Sequence, residues 1–275
     1  MIMSSALPDC ETLLLDRKGA ALFITLNRPA VRNALNSAMW DEINAVFQAI
    51  APDRSIKIVV LRGAGGTFCS GGDIGERSQL RDNAPLEGGD PVAERNRRAG
   101  FIFSRIDEAP QAVIAVVEGP ALGGGFGLAC AADIVIGSST ARFGLPEVTL
   151  GLAPAQIVPF PLRRIGPARL RRLALTAARI DAAEAYRIGI IDELCPDEAA
   201  IEQRIAALAN EIDRGAPGAI SVAKQLIRQA ELTDQSGFLD QASQIISRMT
   251  QGAEGIEGAA AFREKRAPSW RQTRM

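Results

Sequence analysis

The chain has 275 residues, 31 Lys and Arg against 32 Asp and Glu, and no histidine. That length can enclose a full hydrophobic core without disulfide or metal staples. The missing imidazole excludes a Ser-His-Asp or Cys-His relay and every His-ligated metal site, and the balanced charge removes a global footprint for nucleic acid.

Cys10, Cys69, Cys130 and Cys195 are far apart and form no C-x-x-C, so they read as reduced thiols of a cytoplasmic protein. No run reaches the ~18 apolar residues of a membrane span. The opening MIMSSALPDC lacks the basic and apolar regions of a secretory leader. A soluble α/β protein is expected.

Taken in chain order, Leu13–Asp16 and Ala21–Leu26 flank the turn signal 17–20 and predict a hairpin. Met39, Ile43, Val46, Phe47 and Ile50 share one helical face, with Asn36 or Ser37 as N-cap and Pro52 as the stop. Then Ile58–Leu61, Val113–Val117 and Ile134–Ile136 are apolar, β-branched runs that each end in glycine. Runs of that kind imply strands buried on both faces. Between them, 75–98 is charged and turn-rich, which predicts a mobile excursion turning helical near Val92. From Pro167 the chain reads as helices over 169–176, 182–187, 199–213, 219–232, 239–249 and 255–265, broken by a short strand near 190–194. The expected division is a core over 1–200 and a helical region over 201–275.

Two glycine clusters stand out, Ser70-Gly71-Gly72-Asp73 and Leu122-Gly123-Gly124-Gly125. Each can serve a tight turn, or each can bring a backbone N–H close to a ligand oxygen. Gly63-Ala-Gly65-Gly66 and Gly123-Gly124-Gly125-Phe126-Gly127 both fail G-x-G-x-x-G, and no G-x-x-x-x-G-K-[ST] is present, so phosphate-cradling loops are poor readings. In Phe143-Gly144-Leu145-Pro146-Glu147, Pro146 predicts the first position of a helix with Glu147 in its first turn. Apolar neighbours there would raise the acid toward a working pKa, although a carboxylate that only favours the helix dipole explains the pattern equally well. Arg163, Arg164, Arg169, Arg171 and Arg172 form either a solvated helix face or a phosphate contact.

These segments, taken in order with Phe68-Cys69, Ala132-Asp133-Ile134, Gly151-Leu152 and the ending Ala261-Phe262-Arg263-Glu264-Lys265-Arg266, resemble the enoyl-CoA hydratase/isomerase (crotonase) superfamily over almost the whole chain. The resemblance implies a spiral of ββα units, a helical trimerisation region, and a trimer or pair of trimers. It implies an acyl-CoA substrate, no membrane association and no separate cofactor, coenzyme A being part of the substrate. The thioester oxygen would be held by Gly72 and Gly124 N–H, with Glu147 as acid and base. Val31, Arg32 and Ala34 would contact CoA, with Ser70, Gly71, Asp73, Ile74, Gly123 and Gly127 around the substrate. Phe262 and Lys265 would reach a neighbouring subunit's ligand.

Two departures bear on the reaction. Hydratases of this family generally carry a second glutamate at the position of Gly127. The run 153–160, Ala-Pro-Ala-Gln-Ile-Val-Pro-Phe, replaces a glycine-rich stretch and looks like members that hydrate branched acyl-CoA, such as isohexenylglutaconyl-CoA hydratase. Its apolar side chains would line an acyl pocket or simply pack a helix on the core. Hydration of a 2-enoyl-CoA is the first expectation and Δ3-Δ2 isomerisation through one glutamate the second. An RNA-binding member with little catalysis, using the Arg163–Arg172 cluster, is the third. Asp73 and Glu118 are the substitute acids should Glu147 not serve.

Overall fold

The computed structural model describes residues 6–76, 78 and 90–271. Its main sheet follows from alternation. In β2 (Ala21–Leu26), β3 (Ile58–Gly63), β4 (Ala112–Val117) and β6 (Ile134–Ser138), successive side chains point to opposite faces. Leu22, Ile24, Val59, Leu61, Val113 and Ala115 enter one core, while Phe23, Ile58, Val60, Ile114 and Val116 enter another. Both faces are covered, which is why the strands read as unbroken apolar runs. With β1 (Leu13–Lys18) and β9 (Glu193–Cys195) the order is β1-β2-β3-β4-β6-β9. All pairs are parallel except the β1–β2 hairpin, whose first strand runs past the expected Asp16 to Lys18.

Helices close both faces. In α1 (Ser37–Ile50) the cap is Asn36, whose Oδ1 accepts from Met39 N at 3.0 Å. The next helix, α2 (Pro91–Asp107), starts one residue before Val92 because Asp90 caps it and Pro91 is preorganised at its first turn. Residues 77 and 79–89 of the expected excursion lie outside the described residues. With the short α3 (Gly124–Ala131), these helices cover the first core, and α6 (Glu198–Asp213) covers the second through Ile201, Ile205 and Leu208. The first helix after residue 200 thus packs with the sheet.

A second sheet was not expected from the sequence. It joins β5 (Pro120–Leu122), β7 (Arg142–Gly144) and β8 (Arg179–Asp181) in the order β5-β7-β8. These three-residue strands carry too little alternation to stand out, whereas the strand expected near 190–194 does form, as β9 over Glu193–Cys195. Helix α4 (Pro159–Thr176) begins well before Arg169 and breaks at Gly166 (φ 75°, ψ 168°), where Pro167 restarts it. After α5 (Ala182–Arg187), β9 and α6 come the helices α7 (Pro217–Leu232), α8 (Gln235–Gln251) and α9 (Ala253–Arg263). Ile227, Leu239, Ile246, Ile256 and Phe262 on them are exposed. One buried cation ties this region back to the sheet. Lys57 Nζ donates to Asp213 Oδ1 (2.7 Å), Asp213 O (3.0 Å) and Trp270 O (2.7 Å). Among the described residues no helix is long and apolar enough to cross a membrane.

Candidate active site

The first glycine cluster is placed by the chain on either side of it. Asn33 is fully buried, and its Nδ2 donates to Ala64 O (2.9 Å) and Thr67 O (2.7 Å) while its Oδ1 accepts from Arg28 N (2.9 Å). That pins 31–34 to the loop after β3. Ser70 N then donates to Arg32 O (3.0 Å), Leu35 N to Gly71 O (2.8 Å) and Asp73 N to Leu35 O (3.0 Å). On the other side Cys69 N bonds Pro120 O (3.0 Å) and Leu122 N bonds Cys69 O (2.9 Å), fixing the loop to β5. Gly71 has φ 103°, a region that favours glycine, and any β-carbon there would stand 3.0 Å from Leu122 O.

The second cluster meets it head-on. Gly123 (φ 51°, ψ −117°) turns the chain into α3, and its N–H donates to Gly144 O at 3.0 Å. A β-carbon on Gly124 would lie 3.8 Å from Gly72 N, and one on Gly71 would lie 3.7 Å from Gly124 N. The Gly72 and Gly124 amides therefore border one small space. Neither donates to an acceptor among the described residues. For Gly124 the reason is its place at the start of α3, where a helix has no acceptor for its first N–H groups. The same end carries the positive pole of the helix.

Glu147 completes the group, although its local structure differs from the expectation. Glu147–Leu150 is a single 3-10 turn, Pro146 is its cap residue rather than its first helical position, and Gly151 (φ 69°) ends it. The short turn brings the acid back over the glycines. Its Oε1 lies 2.7 Å from where a β-carbon of Gly123 would be, so a side chain at 123 is opposed by both φ and the carboxylate. The two substitute acids are engaged elsewhere. Asp73 accepts from Arg28 Nη1 (3.1 Å), Gly75 N (3.1 Å) and Glu76 N (3.3 Å). Burial pushes its carboxyl up, but the Glu76 amide, the Arg28 guanidinium and the Gly75 amide together hold it below the ordinary range. Glu118 pairs with Arg62 at 2.9 Å.

Gly72, Gly124 and Glu147 open on a cavity of about 170 Å³. Residues 152–157 form part of its wall, so the run before α4 does face the ligand space, while Pro159 and Phe160 start the helix. The opposite wall comes from α2, through Val92, Arg95, Asn96, Ala99 and Phe103. Sequence reasoning missed these residues, although their helical spacing was a readable signal. Gly127 is buried behind this wall. A β-carbon there would meet Phe103 Cε1 and Cζ at 3.1 Å and Ile157 Cγ2 at 3.2 Å. The space where a second carboxylate would project is thus filled by an aromatic ring and an isoleucine.

Other expected residues lie apart from this cavity. Ile74 (61 % exposed) and Phe262 (85 % exposed) are on the surface, and Lys265 follows the end of α9 with φ 53°. In the arginine cluster, Arg163 pairs with Asp107 (2.9 Å), Arg164 with Asp192 (2.9 Å) and Arg172 with Glu184 (3.4 Å). Those pairs offset part of the positive field that an RNA backbone would need.

Two converging amides at a helix start, beside one carboxylate, define a site that stabilises an oxyanion while protons move next to it. The known proteins that this chain resembles carry that description further. The pattern of the enoyl-CoA hydratase/isomerase family matches residues 16–273. The 2,3-dehydroadipyl-CoA hydratase of Escherichia coli is 32 % identical over 260 residues, covering 94 % of this chain and 98 % of that protein. Among solved structures, an enoyl-CoA hydratase/isomerase from Marinobacter aquaeolei superposes with a TM-score of 0.92 at 42 % identity, covering 96 % of this chain and 100 % of that one. Pseudomonas aeruginosa AtuE superposes at 0.91 with 45 % identity, covering 95 % and 100 %. The chain belongs to the enoyl-CoA hydratase/isomerase family, the crotonase superfamily, and is an enzyme of that family.

Proposed function

We propose that this chain hydrates the α,β double bond of a 2-enoyl-CoA thioester, with the thioester oxygen accepting from Gly72 and Gly124 N–H. Glu147 takes a proton from water as the oxygen of that water bonds to C3, and the electron pair moves through C2 onto the thioester oxygen. The enolate then takes the same proton back at C2. The observation that carries this reading is the common space bordered by both amides with the Glu147 carboxylate over Gly123. Relatives named as hydratases support the choice of hydration. Val31, Arg32 and Ala34, held against the Ser70–Asp73 loop, are our proposed CoA contacts. Phe262 and Lys265 would serve a neighbouring copy in a trimer or a pair of trimers. Every step uses protein groups, the thioester and one water. The four free thiols support a cytoplasmic setting.

One observation favours a second reading. Phe103 and Ile157 occupy the place of a second carboxylate, and a single Glu147 can shuttle a proton between C4 and C2, isomerising the double bond. A panel of enoyl-CoA thioesters in heavy-oxygen water separates the two. Label in the product means hydration, and an unlabelled product of unchanged mass means isomerisation. Glu147→Gln should lower turnover by roughly 10²-fold or more with CoA-ester binding retained. Near-full activity in that variant would remove Glu147 from both mechanisms.

A further inference from the structure

Helix α2 separates two hollows. On one side is the catalytic cavity of about 170 Å³; on the other is a larger one of about 640 Å³, with Phe101, Pro159 and Phe160 among its apolar walls and Arg97 and Arg163 among its charged ones. Pockets that enclose a drug-sized ligand span ~300–1,000 Å³. The catalytic cavity falls below that range and the second lies within it, so an extended acyl group outgrows the first and finds room in the second.

One described residue belongs to both walls, and it is Gln156. Its side chain lies across α2 at Gly100, where the helix has no side chain. A β-carbon at Gly100 would contact Gln156 Oε1 and lie 3.0 Å from its Cδ. Gly100 thus forms a saddle between the hollows, and the Gln156 amide rests on it. The residue is exposed and sits between the cavity-lining Ala155 and Ile157, so its side chain can swing without repacking the core.

We infer that Gln156 sets the length of acyl chain this enzyme accepts, as a bar over the Gly100 saddle that an extended acyl tail must displace to enter the second hollow. This rests on the acyl-CoA reading above. Removing the bar joins the hollows, and a bulkier group in its place closes the crossing. Neither change touches Gly72, Gly124 or Glu147.

The test compares wild type, Gln156→Ala and Gln156→Trp in two measurements. Calorimetry gives Kd for saturated butyryl-, octanoyl- and dodecanoyl-CoA, which bind without reacting. Rates are then taken on the matching 2-enoyl-CoA thioesters. Gln156→Ala should raise the dodecanoyl-to-butyryl affinity ratio by about tenfold and Gln156→Trp should lower it by a similar factor, the scale of one or two methylenes in an apolar pocket. The same ratio in all three proteins, within about twofold on that scale, would overturn the inference. If the ratio moves as stated but no thioester is hydrated, the inference holds and the hydration reading fails. If hydration occurs and the ratio does not move, the inference fails alone. If no CoA ester binds to any of the three, both fail.

Discussion

In the sheet region the inner strands β2, β3, β4 and β6 are covered on both sides, and the side chains that position the glycine loops are among the most buried in the chain. Asn33, Leu35, Phe68 and Cys69 are all fully enclosed. In α7, α8 and α9 the position is reversed, with Ala261 the only residue of those helices among the buried described ones and Ile227, Leu239, Ile246, Ile256 and Phe262 open to solvent. Helix α8 buries nothing among its described residues. The sheet region therefore holds its chemistry with its own packing, whereas a helix with no buried side chain gains little from the fold it is attached to. Its exposed apolar residues would be covered in the trimer proposed above, the assembly in which Phe262 and Lys265 would reach a neighbour's ligand.

The difference can be tested from both ends. The largest effect belongs to the self-sufficient region. Gly124→Pro deletes one of the two amide donors and should cost about 3 kcal/mol of transition-state stabilisation, roughly 10²-fold in kcat. A thermal melt must show a folded protein alongside. A folded and fully active Gly124→Pro variant would end the oxyanion role of that amide. In the outer helices, replacing Leu239 and Ile246 together by Asp should leave a folded single chain but weaken self-association. Each buried aliphatic side chain contributes about 1.5–3 kcal/mol to such an interface. Sedimentation of the variant at the same mass as wild type would mean that this face is not between copies.

The smallest effect is electrostatic and sits at the edge of the site. Asp73 is held below its ordinary range as described, and Glu76 likewise. Burial pushes the Glu76 carboxyl up, while the Ser37 amide and hydroxyl and the Arg95 guanidinium bring it down further. A carboxyl whose pKa is lowered by folding stabilises the fold above its unfolded value and loses that contribution as pH falls through the folded one. The loss therefore comes below about pH 4. Each pair contributes under about 1 kcal/mol, so Asp73→Asn and Glu76→Gln should shift only the acid limb of a stability-against-pH curve. A limb that does not move in either variant would show that these pairs do not report on folding.

How much of this the sequence revealed depends on the range of the interactions. The main strands were legible because Val113–Val117 and its relatives are continuous β-branched runs, and α1 because its apolar residues keep one face. The Gly72, Gly124 and Glu147 motifs were legible through their resemblance to a family. The three-residue strands β5, β7 and β8 were not, since they exist through pairing with distant chain and not through local pattern. The same holds at the site. Nothing near Asn33 in the sequence announces that its amide will hold Ala64 and Thr67, and nothing near Gly127 announces Phe103. The 3-10 turn at Glu147 also escaped, because Pro146 suits the start of an α-helix as well as the cap of a tighter turn.

The buried Lys57 gives the molecule an order in time. Its ammonium has three protons and finds three acceptors, two on Asp213 and one on Trp270, which lie 156 and 213 residues further along the chain. While the protein is being synthesised, the segment leading into β3 emerges long before either partner exists. Seating that charge in the interior without them carries a penalty of several kcal/mol. The end of the sheet where β2 and β3 meet is thus made early, yet the acceptors that seat Lys57 come 156 and 213 residues later. The last contacts of this strand entry thus form only after a further 213 residues of chain have been made.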